Sequence, residues 1–214
     1  MFANDADLLT LEPRLFLDII WAGQVILKAP AAISGGSLVF DGQDPTLEQL
    51  GVETGSVVTV GEASFAVAGR SSENEVTIAC PRRFAEDPPG LPGKLEDGEV
   101  TITTFRPQLG VIHRQLLRMA GIDPLPFAMP GRANESNITN PEALRLAAVL
   151  GTLHLIYAAA GALLPEEAPV NQRARTYRDW YAQERRNVIV ELDLDGDGKP
   201  DAARRLNSLM LGRD

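Results

Sequence analysis

The chain has 214 residues, 44% hydrophobic and 23% charged, an ordinary globular balance that excludes disorder throughout. Lys+Arg is 20 against Asp+Glu 29, a net charge of −9, which disfavours simple electrostatic binding to a phosphate backbone. A lone cysteine, Cys80, excludes a disulfide-framed module and points to a reducing compartment. The length fits one domain, or one core with an insertion.

The opening MFANDADLL lacks the basic and apolar regions of a signal peptide, so no leader is expected. Residues 4–21 read as helical, with Asn4 or Asp5 as cap and Leu15, Phe16, Ile19 and Ile20 at helical spacing. Residues 24–80 change to short β-branched or aromatic runs, among them Val57-Val58-Thr59-Val60 and Val76-Thr77-Ile78. Glycine-bearing turns separate them, which predicts a small barrel or an open sheet. Residues 81–98 carry Pro81, Pro88, Pro89, Gly90, Pro92 and Gly93 and read as a stiff linker.

Helices are expected again after about residue 105. Gln108 to Met119 has Leu109, Ile112, Leu116 and Met119 on one face, and Gly121 stops it. Residues 122–139 read as a loop. Asn140-Pro141-Glu142 opens a helix to about Leu164, and residues 170–186 form another, carrying Tyr177, Trp180 and Tyr181. Asn187 to Leu192 reads as a strand, and Ala202 to Leu211 as a final helix. The expected fold is α+β: a helical bundle built from both chain ends, residues 1–21 and 99–214, with a small all-β subdomain inserted at 22–80.

Leu146 to Leu164 is interrupted only by Thr152 and His154 and is long enough to span a membrane. The mid-helix histidine, the alanine- and glycine-rich second half and the acidic flanks Glu142 and Glu166-Glu167 argue instead for a helix buried in a bundle or against a neighbouring subunit. His154 is read as a core or interface histidine, since Leu150, Gly151, Tyr157 and Ala158 around it supply no strong ligand.

The most specific local pattern is D-x-D-x-D-G-x-x-D, formed by Asp193, Asp195, Asp197, Gly198 and Asp201, with Lys199 able to offer its carbonyl. Alternate carboxylates converge when such a chain wraps, and hard oxygen ligands suit Ca²⁺. The pattern is not a full EF-hand, because Arg204 stands where that loop needs a bidentate Glu. Any ion here is expected to hold the loop, not to do chemistry. The plainer alternative is an acidic turn before a helix capped by Asp201.

Charge is uneven. Residues 1–170 hold 11 Lys/Arg and 21 Asp/Glu, whereas residues 171–214 hold 9 and 8. The arginines of the second part read either as a solvated helix face or as a docking surface for an acidic partner. No nucleotide-binding glycine pattern, H-E-x-x-H or G-x-S-x-G occurs, so no enzyme activity is expected.

The opening Asn4-Asp5-Ala6-Asp7-Leu8-Leu9, with Leu11-Glu12-Pro13, resembles the start of head–tail connector (adaptor, head-completion) proteins of tailed bacteriophages and gene transfer agents. Tyr177-Arg178-Asp179-Trp180-Tyr181, Arg185-Arg186, the acidic loop and Arg204-Arg205 resemble the C-terminal half of that family. The likeness covers both helical ends, roughly half the chain. It implies a structural virion protein at the particle neck, assembled in the host cytoplasm. Such proteins form a homo-oligomeric ring, commonly twelve-fold, beneath the portal. The ring extends the DNA channel without sequence-specific binding and offers a platform for a tail or neck component; no membrane is involved. Portal docking would fall to Ala202–Asp214, with Arg204, Arg205 and Arg213 as charged contacts. The rival reading is a soluble calcium-dependent binding module that uses the β subdomain for recognition.

Overall fold

The computed structural model describes residues 1–20, 24–42, 44–80, 90, 92, 97–122 and 133–206. The linker expected at 81–98 lies largely outside these residues, as does Arg213. Two compact units emerge, Asn4–Arg106 and Met1–Ala3 with Pro107–Asp214.

The first unit is built on a closed antiparallel barrel. Its strands are β1 (Val25–Ser34), β2 (Ser37–Phe40), β3 (Val57–Val60), β4 (Ala63–Arg70), β5 (Glu75–Ala79) and β6 (Gly98–Thr103), in spatial order β1-β2-β5-β4-β3-β6. Closure depends on β6, which pairs with β1 on one side (Ala29↔Val100) and with β3 on the other (Val58↔Ile102). Period-two alternation sends Leu38, Phe40, Val58, Val76, Ile78, Val100 and Ile102 inward, where they are buried. The β1–β2 turn is Gly35-Gly36, both at positive φ (57° and 87°), the backbone that a two-residue hairpin turn demands and glycine adopts without strain. Irregularities in the β1–β6 and β4–β5 registers fall where strands must bend to close.

Two short helices, α1 (Asp5–Leu11) and α2 (Leu15–Asp18), belong to this same unit. Asn4 is the cap of α1: its side chain accepts the Asp7 N–H, and Asp7 returns a bond to the Asn4 N–H. Leu8, Leu9, Leu15 and Phe16 are buried, with Phe16 edge-on to Phe105 at 5.1 Å.

The second unit contains α3 (Arg106–Met119) from Pro107 onward, two 3-10 turns (Glu135–Asn137 and Pro141–Leu144), α4 (Arg145–Gly161), α5 (Pro169–Asn187), β7 (Ile189–Leu192) and β8 (Ala202–Arg205). Ala147 to Leu153, with Ile156 and Tyr157, are buried along α4. Small residues let its neighbours come close. A Cβ at Gly151 would stand 3.0 Å from both Ile112 and Tyr181. Tyr157 stacks on Tyr177 at 5.6 Å, tying α4 to α5. The segment Pro141–Gly161 is long and apolar enough to cross a membrane, and 56% of its most apolar window is buried within the protein.

These observations correct the expected fold. Strand accounts for about 27% of the chain against 38% helix, so the β part is no small insertion in a helical bundle. Glu99–Thr103, expected in the helical body, and Gly98, expected in the linker, form the strand that closes the barrel, and the first helices belong to the barrel unit. The final helix expected from Ala202 is instead β8. Alanine and arginine favour helix, but antiparallel pairing with β7, Val190↔Arg204 and Leu192↔Ala202, overrides that preference.

Candidate functional site

The acidic loop joins β7 to β8. Val190 and Leu192 are buried on one face of β7, which fixes the direction in which the chain enters the loop. Residues Asn137 to Asn140 line the open side of β7. Thr139 N–H donates to Glu191 O at 3.0 Å, Glu191 N–H to Asn140 Oδ1 at 2.8 Å, and Ile138 bridges Leu192. Asn140 stands at the cap position of the 3-10 turn Pro141–Leu144, as expected, but its side chain makes no capping bond and serves β7. Asn137 takes the Asp193 N–H on its carbonyl at 2.8 Å and donates its side-chain amide to Asp193 O at 2.7 Å. The first loop residue is therefore held by a pair of bonds from one asparagine. Sequence reading missed Asn137 and the bond of Asn140 to β7; the only signal was a polar-apolar alternation across Asn137-Ile138-Thr139-Asn140.

Beyond Asp193 the loop turns on its own carboxylates. Asp193 accepts the Gly196 N–H at 2.6 Å and the Gly198 N–H at 2.8 Å. Asp195 accepts the Asp197 N–H, and Asp197 the Lys199 N–H. Gly196 and Gly198 sit at φ 82° and 83°, a backbone that side-chain-bearing residues rarely adopt. The Gly198 N–H, followed by the Gly196 N–H, holds the Asp193 carboxyl below its ordinary pKa.

Asp193, Asp195 and Asp197 each bring a carboxylate oxygen within 4.8 Å of the others, a set that could hold a divalent cation. Asp201 and Lys199 stand outside that cluster. One Asp201 oxygen accepts the Leu194 and Asp195 N–H groups at 2.7 and 3.2 Å, closing the loop from behind. Lys199 meets Asp197 through its own N–H and, at 4.0 Å, its ammonium.

The docking arginines separate. Arg204 donates to Ala120 O at 2.8 Å and Gly121 O at 3.1 Å, a cation at the C-terminal end of α3. Arg205 is exposed on the alternate face of β8.

His154 gives its Nδ1–H to Ala174 O at 3.0 Å, since a carbonyl can only accept. It borders an open cavity of about 350 Å³ between α4 and α5 that Glu166, Arg175 and Arg178 also line. Glu166 is bonded to Arg175, and Arg178 donates to Asp179. The histidine and the carboxylate share a cavity but not a hydrogen bond. His113 pairs instead with Glu135 at 3.0 Å. Compared with protein-family models, with curated proteins and with solved structures, the chain finds no match.

Proposed function

We propose that this chain is a structural, non-enzymatic head–tail adaptor, a ring-forming neck component that extends a DNA channel below a portal. One observation carries the reading. The segments bearing the strongest resemblance, Tyr177–Tyr181, Arg185-Arg186, the acidic loop and Arg204-Arg205, follow one another without interruption as α5, β7, loop and β8 of one compact unit. The acidic balance supports it further, because a wall of carboxylates lets phosphates slide past without sticking. Of the arginines proposed as portal contacts, Arg204 is held at α3 by the Ala120 and Gly121 carbonyls, and Arg205 is exposed on β8.

The test is affinity capture of the tagged chain from its own source, followed by electron microscopy. Rings, or particles with the chain at a neck, are expected. A chain that stays alone beside mature phage heads overturns the adaptor.

The clustered oxygens of Asp193, Asp195 and Asp197 favour a second reading, a calcium-dependent binding module with the barrel as recognition surface. Calorimetry with Ca²⁺ on the parent and on Asp195→Ala decides whether the loop takes an ion, and calcium-dependent ligand capture by the barrel would favour this reading over the adaptor. Heat from the parent alone supports an ion that holds the loop, under either reading; no heat from the parent removes the ion from both.

A further inference from the structure

We propose that the buried Asp5 carboxyl is a proton-operated clamp: taking up a proton there tightens the hold between the start of α1 and the end of β6. This inference goes beyond the adaptor reading and does not rest on it.

Asp5 is only 1% exposed, rare for an aspartate. Its Oδ1 accepts the Phe105 N–H at 2.8 Å and its Oδ2 accepts the Thr104 hydroxyl at 2.6 Å. Two donors leave about half of a carboxylate's lone-pair sites without a partner. Among the described residues, the cation acting on it is Arg106, whose guanidinium is spent on Gly51 O at 2.7 Å and on Glu53 at 2.6 Å. Asp7 adds a like charge from the same turn. Of the elements packed against α1, β3 carries no charged residue. The only charge on β4, Arg70, pairs with Glu48, and Asp18 of α2 pairs with Arg14. Glu12 lies beyond the other end of α1.

Removal from water is therefore weakly compensated. Burial pushes the Asp5 pKa up from 3.8 to about 6, against the opposing pull of Thr104, Phe105 and Arg106. The geometry also tolerates the added proton. A protonated Oδ2 can donate to Thr104 Oγ1, reversing that bond, while Oδ1 keeps the Phe105 N–H. Thr104 Oγ1 already accepts the Arg106 N–H at 3.0 Å and has a second lone pair for this.

The sign follows from the raised folded-state value. The stabilising contribution is complete below about 3.8 and is lost as pH rises through about 6. A shift of about two units corresponds to roughly a hundred-fold in the unfolding equilibrium.

The experiment compares urea unfolding of the full chain and of Asp5→Asn between about pH 4.5 and 7.5. An amide keeps the Phe105 bond and can donate to Thr104 without carrying charge. The wild-type unfolding constant should rise with pH by tens of fold relative to the variant's, and the variant should match or exceed wild type in stability at the neutral end. Parallel pH profiles overturn the proposal. Should Asp5→Asn fail to fold, carboxyl-carbon NMR on wild type decides. Titration of Asp5 near 6, with Phe105 amide protection rising as pH falls, upholds the clamp. Titration in the ordinary aspartate range, or protection that does not respond to pH, overturns it.

Discussion

The two compact units solve the problem of holding a shape by different means. Residues 4–106 hold 7 Lys/Arg and 16 Asp/Glu, so the whole net charge of −9 resides in the barrel unit, while the rest of the chain balances at 13 and 13. The barrel tolerates that charge because closure fixes its inside strictly: the core is wholly apolar, built of aliphatic side chains with Phe40 and Phe65. The helical unit has no such closed ladder. It depends on small residues that let helices approach, at Gly151 and at Gly161, where a Cβ would fall 1.9 Å from Asn171 Oδ1. It depends too on polar side chains that tie separate segments together: Asn137, Asn140, Asn171 and Arg204. Closure makes one region robust to surface charge, whereas the other is sensitive to single side chains.

The largest test of this contrast uses one core truncation per unit. Ile102→Ala should cost the barrel about 3 kcal/mol, and Leu153→Ala should cost the helical unit a similar amount, both side chains being fully buried. Trp180 reports the helical unit by fluorescence in a Trp21→Phe background, and hydrogen exchange of the barrel amides reports the other unit. Ile102→Ala should shift the barrel-amide trace alone and Leu153→Ala the Trp180 trace alone. If both traces shift together for either change, the units unfold as one and the contrast fails.

The same division explains what could be read from the sequence. The barrel strands between 25 and 79 were legible because alternation and glycine turns are local signals. Gly98–Thr103 has the same alternation, at Val100 and Ile102, but it follows a proline-rich stretch that reads as the end of the β region. Its partners, β1 and β3, are distant in sequence. Leu8, Leu9, Leu15 and Phe16 announced an apolar face, but periodicity names no partner for it, and it went to the barrel. Asp193, Asp195 and Asp197 converge as their spacing implied, because the loop closes on itself. Asn137, which anchors that loop from 56 positions away, carries no such local mark.

A medium effect is expected at the arginines. Arg204→Glu removes two donors from the Ala120 and Gly121 carbonyls and places a negative charge at the C-terminal end of α3. The expected loss is roughly 1–2 kcal/mol, read by urea denaturation. Arg205→Glu, on the exposed face of β8, should cost less. Under the adaptor proposal, Arg205→Glu should weaken portal attachment while leaving the Trp180 transition near its wild-type midpoint. Equal losses for the two variants would remove the structural distinction between them.

The smallest effect belongs to the acidic loop, where the sign opposes that at Asp5. The Asp193 carboxyl is held below its ordinary pKa, first by the Gly198 N–H and then by the Gly196 N–H. A depressed folded-state value contributes order above the unfolded value near 3.8, and that contribution is lost as pH falls through the depressed one. Asp193 is half-buried in a surface loop whose other carboxylates are exposed, so the effect is local. Gly196 and Gly198 amide protection should hold at pH 5 and fade only in stronger acid, while the barrel amides do not follow. Asp193→Asn keeps one acceptor oxygen and loses the charge, so it should weaken that protection at pH 5 and flatten its pH dependence. Protection unchanged in Asp193→Asn would mean that the glycine backbone and Asp201 hold the turn by themselves. Two aspartates that both accept backbone N–H groups thus answer protons in opposite directions, because burial outweighs those bonds at Asp5 and is outweighed by them at Asp193.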